Sequence, residues 1–163
     1  MKKLLILMFV AVIMPLTALG QTKQINEILD KYEKRKGVES IIISPSLLQI
    51  ASSTDVDAST KDLLSKITEM RILNIKSGAV ENGIPIRLSL RKELDGLIVT
   101  DMFKRIVMVK DGEETLEMYT TSTAQGVLLF FTTNPSEFSV ISIFGNIDKT
   151  VVNAAMSGAI KVK

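Results

Sequence analysis

Apolar residues first fall into a helical period at Ile25, Ile28, Leu29 and Tyr32, spaced i, i+3, i+4 and i+7 on one face. Glu27/Lys31 and Asp30/Lys34 supply i,i+4 pairs on the wet side. Gly37 follows Lys34-Arg35-Lys36, where a C-terminal cap belongs. The pattern predicts an amphipathic helix over Lys23–Lys36. Val38–Ser44 reads as a strand, with Ile41-Ile42-Ile43 as a buried run. Ser44-Pro45 then has the form of a helix start, and Leu47, Leu48, Ile50 and Ala51 give that short helix an apolar side. Ser52–Ala58 is polar and reads as a loop. Ser59–Asp62 opens another short helix, expected to bury Leu63, Leu64 and Ile67. Met70–Ile75 is a second strand and Gly78–Gly83 a loop. Over Pro85–Leu97 both periods compete. Ile84, Ile86, Leu88 and Leu90 alternate as in a strand, while Leu90, Leu94 and Leu97 suit a helix; the propensity of Arg-Lys-Glu-Leu decides for helix.

From Phe103 the pattern turns to β. Phe103–Lys110 and Glu113–Thr120 flank Asp111-Gly112, a turn that needs positive φ. Val127–Thr133 is almost continuously apolar, which predicts a central strand buried on both faces. Asn134-Pro135-Ser136 turns the chain into Glu137–Phe144, and Asp148–Met156 closes it as a helix capped near Ser157-Gly158. The fold class is α+β. It is a single, mainly antiparallel sheet of about six strands, ending in a four-strand meander, with helices packed on one face. No internal repeat or Pro/Gly-rich linker divides it, so residues 21–163 read as one domain.

The first 20 residues stand apart. Lys2 and Lys3 precede an apolar run, Leu4–Leu16, and Ala18-Leu19-Gly20 supplies small residues at a cleavage site. That run is shorter than the roughly 20 residues a transmembrane helix needs. Residues 1–20 therefore read as an export signal, and the mature chain as Gln21–Lys163. Without Lys2 and Lys3 the balance is 18 basic against 18 acidic groups, so the electrostatic footprint of a nucleic-acid binder is missing.

Composition closes further routes. The chain has no Cys and no His. That excludes thiolate chemistry, disulfides, Cys-ligated metals, a Ser-His-Asp triad and a lipid-modified N-terminal Cys. No Gly-rich phosphate loop can be read.

The remaining candidates have plainer readings. Ser89 and Lys92 match a Ser-x-x-Lys nucleophile pattern, but its companion motifs are missing. Asp55 and Asp57, with Asp62 nearby, suggest a Ca²⁺ loop, but Thr60 stands where such a loop needs Gly. Glu113 and Glu114 are adjacent on a strand and point to opposite faces, so they make no acid/base pair. Lys34-Arg35-Lys36 suits the negative end of a helix dipole. Met70, Met102, Met108 and Met118, with Phe103, Phe130, Phe131, Phe138 and Phe144, could line an apolar pocket, although a core needs such residues anyway.

Four stretches carry a resemblance: "ILDKYEKRKGVESIIISPSLLQIA", "ITEMRILNI", "FKRIVMVKDGEETLEMYTTST" and "FSVISIFGNIDKTVV". In this order, and with the ending Ile-x-x-Phe-Gly-Asn-Ile-Asp at Ile141–Asp148, the chain resembles DUF4252, a family of exported proteins of unknown function common in Bacteroidota. The resemblance implies an envelope setting. Some members look like lipoproteins with a Cys after the signal; Gln21 stands there in this chain, so no lipid anchor carries over. The family has no established catalytic motif to map.

The sequence thus points to an exported, periplasmic or secreted, non-enzymatic binding or regulatory module. Its expected partner is another envelope protein, with no nucleic acid, no stable membrane anchor after signal cleavage, and no catalytic, cofactor-binding or metal-binding residues. An apolar-ligand carrier is the alternative; an enzyme working without His or Cys comes third.

Overall fold

The computed structural model describes residues 20, 22–53, 57–100, 102–121 and 125–161. The expected export segment over 1–19, its junction at Gln21, and Asp55 of the Ca²⁺-loop candidate lie outside the described residues.

Helix α1 covers 22–33 and buries Ile25, Leu29 and Tyr32. After it come β1 (Val38–Ile43), α2 (Pro45–Ser53), α3 (Ala58–Lys66) and β2 (Ile67–Lys76). A hairpin of two-residue strands, β3 (Val80–Glu81) and β4 (Ile84–Pro85), starts in the expected Gly78–Gly83 loop and runs past it into the first residue of the expected helix, its turn made by Asn82 and Gly83 at φ 52° and 80°. Helix α4 (Ile86–Ile98) settles the ambiguous segment as helical, with Ile86, Leu90 and Leu94 buried at i, i+4 and i+8. Strands β5 (Phe103–Asp111), β6 (Glu114–Thr121), β7 (Gln125–Thr133) and β8 (Glu137–Asn146) form the meander, and α5 (Lys149–Lys161) follows. Gly112 takes φ 58° as the first residue of the β5–β6 turn, between the paired Asp111 and Glu114. Helix α5 runs past Ser157-Gly158, where the sequence placed its cap.

The fold is α+β, as expected. Six antiparallel strands form one sheet in the order β1-β2-β8-β7-β6-β5. Strand β7 lies inside it, and its continuous apolar run is buried on both faces. Val127, Leu129 and Phe131 join one core with Ile25, Leu29, Leu90 and Leu94; Leu128 and Phe130 join a second with Met118, Ile143, Ile147 and Val151. The helices accordingly cover two faces rather than the expected one: α1 and α4 pack on the first, α5 with part of α3 on the second. A doubly apolar strand requires this, because either face left open would leave its side chains in water.

Three apolar groups expected inside are not. Strand β1 is an edge, and Ile41 and Ile42 are 52% and 50% exposed. Leu48 is the buried residue of α2, while Leu47 and Ile50 are exposed. Leu63, Leu64 and Ile67 are half-buried.

Candidate interaction edge

Among the described residues, two of the six strands, β1 and β5, have a neighbour on one side only. Strand β5 carries the usual defences against edge-to-edge pairing. Its register with β6 is broken by a bulge between Arg105 and Val107, and Lys104, Arg105 and Lys110 are exposed along it. Strand β1 carries neither. It pairs with β2 in unbroken register from Val38↔Ile75 to Ile43↔Met70. Its one charge, Glu39, is held by Lys76 Nζ of β2 at 3.0 Å. Ile41 and Ile42 project from opposite faces of this edge. The chain then turns through Ser44, whose Oγ accepts from Leu47 N at 3.3 Å, into α2 with its exposed Leu47 and Ile50. Regular backbone and apolar side chains on both faces are what a further strand requires.

The polar chemistry of the domain lies elsewhere, under the helices. Arg71 of β2 is 4% exposed and reaches α1: Nη1 donates to Asn26 Oδ1 at 3.0 Å, and Nη2 to Asp30 Oδ1 at 2.6 Å and Glu33 Oε2 at 2.8 Å. Arg91 of α4 makes a two-pronged pair with Glu117 of β6, at 2.8 and 3.1 Å, and its Nε donates to Asp95 at 2.8 Å. Its guanidinium lies 4.7 Å from the centroid of the Phe131 ring. Tyr119 Oη donates to the same carboxylate at 2.5 Å.

An arginine, a glutamate and a tyrosine in contact have the makings of a reactive set, but their electrostatics are those of a lock. The Arg91 hydrogen bond holds Glu117 below the usual carboxylate range, which leaves it a weak base. Burial, aided by Glu117, pushes the Tyr119 phenol up. Tyr32 is similar: burial, then its hydrogen bond to Glu93 at 2.7 Å, push it up to about 12.

These are the two tyrosines of the chain. Ultraviolet titration of the folded protein is therefore expected to show both ionising above the ordinary phenol value, Tyr32 near 12. Their contribution to stability is complete below the ordinary value and disappears as pH rises through the folded one. A midpoint near the ordinary value while the fold persists would contradict the burial of both rings.

The other sequence candidates disperse. Ser89 and Lys92 both lie on α4, with Lys92 exposed. Asp57 caps α3, accepting from Thr60 N at 2.9 Å and Thr60 Oγ1 at 2.7 Å, while Asp62 pairs with Lys66 at 2.6 Å. Among the described residues no cluster of ligating side chains is placed to hold a metal ion. Glu113 and Glu114 are exposed at the hairpin end. Of the basic cluster, Arg35 stacks 4.0 Å from the Tyr32 ring centroid and pairs with Glu81 at 2.5 Å, and Lys34 and Lys36 are exposed.

The Met and Phe set does not converge on one cavity. Phe103, Phe131, Phe138 and Phe144 belong to the first core, Met118 and Phe130 to the second, and Met102 and Met108 are exposed. An open depression of about 550 Å³ beside α1 is lined instead by Thr22, Lys23, Asn26, Glu27 and Asp30.

Sequence reasoning missed the edge and both arginine locks. The polar residues around Ile41-Ile42-Ile43, Glu39-Ser40 before it and Ser44 after it, are the signal for the edge. A lone Glu117 between Leu116 and Met118, and Arg71 within an apolar strand, were the signals for the locks.

A two-faced α+β sheet with one undefended edge is thus the class of protein in hand. Residues 32–155 match DUF4252, described as a domain of unknown function, and the chain belongs to that family. No curated protein and no solved structure matches it. None of the described helices is long and apolar enough to cross a membrane.

Proposed function

We propose that the protein is an exported, non-catalytic binding module of the cell envelope that docks a polypeptide strand on β1. The observation that carries this reading is the contrast between the edges: both expose apolar side chains, Met108 and Val109 on β5 and Ile41 and Ile42 on β1, but β5 is bulged and carries Lys104, Arg105 and Lys110, whereas β1 is regular and carries no cation. Export is supported by the basic, apolar and small-residue segments of the first 20 residues. A non-catalytic role is supported by the mutual satisfaction of Arg91, Glu117 and Tyr119 and by the lack of His and Cys. The division of the Met and Phe side chains between two cores favours a protein partner over an apolar ligand.

The test places a photoreactive residue at Ile42 or, as control, at Val109 of β5, and irradiates living cells. Ile42 is expected to yield a discrete cross-linked product and Val109 none. Ile41→Lys, which puts an edge lysine beside the cross-linker, is expected to lower the yield about tenfold, the equivalent of about 1.4 kcal/mol. Equal cross-linking from both edges, or none from Ile42, would overturn the reading.

A further inference from the structure

We propose that the strand docked on β1 is the β1 of a second copy, so that the protein is a two-fold symmetric dimer with one sheet running through both subunits; this rests on the strand-docking reading above. The last four residues of β1 and the Ser44 that follows them, Ser40-Ile41-Ile42-Ile43-Ser44, read the same in both directions. A two-fold axis normal to the sheet sets opposed residues of an antiparallel pair on the same face, and the palindrome makes each opposed pair chemically alike, isoleucine on isoleucine and serine on serine.

With the axis at Ile42, Ile42 opposes its own copy, Ile41 opposes Ile43 of the second copy, and Ser40 opposes Ser44. The two copies of Ile41 and of Ile43 then meet on one face of the joined sheet and the two copies of Ile42 on the other. The two Glu39 carboxylates lie on the flanks, about 20 Å apart at ~3.4 Å per residue, so no like charges meet. Each remains held by its own Lys76.

The rows behind the edge fit as well. Ile41 is paired with Ile72, and Ile72 with Ile141; Ile43 is paired with Met70, and Met70 with Ile143. The apolar rows that cross one subunit therefore continue into the next. Strand β5 cannot do the same. Its bulge breaks the register, and with the axis at Val107, the middle of the strand, Lys104 would oppose Lys110 of the second copy.

The absence of cysteine makes the register directly testable. Ile42→Cys puts a single thiol opposite itself, with Cα atoms about 4.5–5.5 Å apart, inside disulfide range. Ile41→Cys lies two residues out of register with its copy, with Cα atoms roughly 8 Å apart, beyond that range. Under mild oxidation the first variant is expected to form a covalent dimer at least about tenfold faster than the second. Sedimentation of the unmodified protein is expected to give the dimer mass, and Ile42→Lys the monomer mass with an unchanged circular dichroism spectrum.

A protein that stays monomeric to about 100 µM, or equal oxidation rates at the two positions, overturns the dimer. The cross-link from Ile42 in cells separates the two failures. A product of another mass, from a monomeric protein, overturns the dimer and leaves strand docking standing; no product at all overturns both.

Discussion

Gly145→Ala is expected to destabilise the protein by about 4 kcal/mol, a loss at the extreme of single substitutions. Gly145 has φ +144°, a conformation that other residues rarely adopt. A Cβ there would lie 2.1 Å from the Lys66 carbonyl oxygen and 3.1 Å from Ile67 Cα, both backbone atoms. Neither can retreat. Ile67 opposes Gly145 at the start of the β2–β8 ladder, at a register shift that ends by Glu69. Lys66 is tied to Asp62 at 2.6 Å and to Asp148 at 2.9 Å. The close approach is therefore a joint. It locks the α3–β2 corner to the β8–α5 corner, where Asp148 Oδ1 accepts from Val151 N at 3.0 Å. Thermal unfolding is expected to shift down by more than about 10 °C. A shift of only a degree or two would show that this backbone contact is not as tight as described.

Arg91→Ala is expected to cost about 3 kcal/mol, because it leaves the Glu117 carboxylate buried without its cation. The paired replacement of Arg91 by Met and Glu117 by Leu is expected to recover much of that loss, since no uncompensated charge remains. The Tyr119 hydroxyl then loses its acceptor, which limits the recovery by about 1 kcal/mol.

The pH dependence distinguishes the same variants. Glu117 has a lowered folded pKa, chiefly through the Arg91 hydrogen bond. Its contribution is complete above the ordinary carboxylate value and is lost as pH falls through the lowered folded value. The unmodified protein should therefore lose stability in acid more steeply than the double variant. Urea melts across the acid range check this; equal slopes would mean that Arg91 and Glu117 are not coupled.

Much of the domain was legible in its periodicities. The 3.6-residue spacing of Ile25, Leu29 and Tyr32 located α1, and Ser44-Pro45 located the start of α2. The run over Val127–Thr133 located a strand buried on both faces. That run also held the evidence for helices on both sides of the sheet, because alternate residues of a strand face opposite ways. The edge position of β1 is hidden for a related reason. An apolar triplet signals a strand, but not whether its sides meet helices or solvent, and that depends on strand order. Strand order in turn comes from long-range pairing: β2 joins β8 across some 60 residues, which leaves β1 outermost. The arginine locks were hidden similarly, since Arg91 and Glu117 are 26 residues apart in the chain and meet only in the fold.

On the proposed reading β1 docks a strand and β5 does not. Hydrogen exchange resolved to single amides tests it most directly. The outward amides of β1, those pointing away from β2, are expected to be protected in the unmodified protein at the concentrations where it associates, and to exchange freely in Ile42→Lys. The outward amides of β5 are expected to exchange freely in both. Free exchange along β1 under every condition, with protection along β5 instead, would contradict the account.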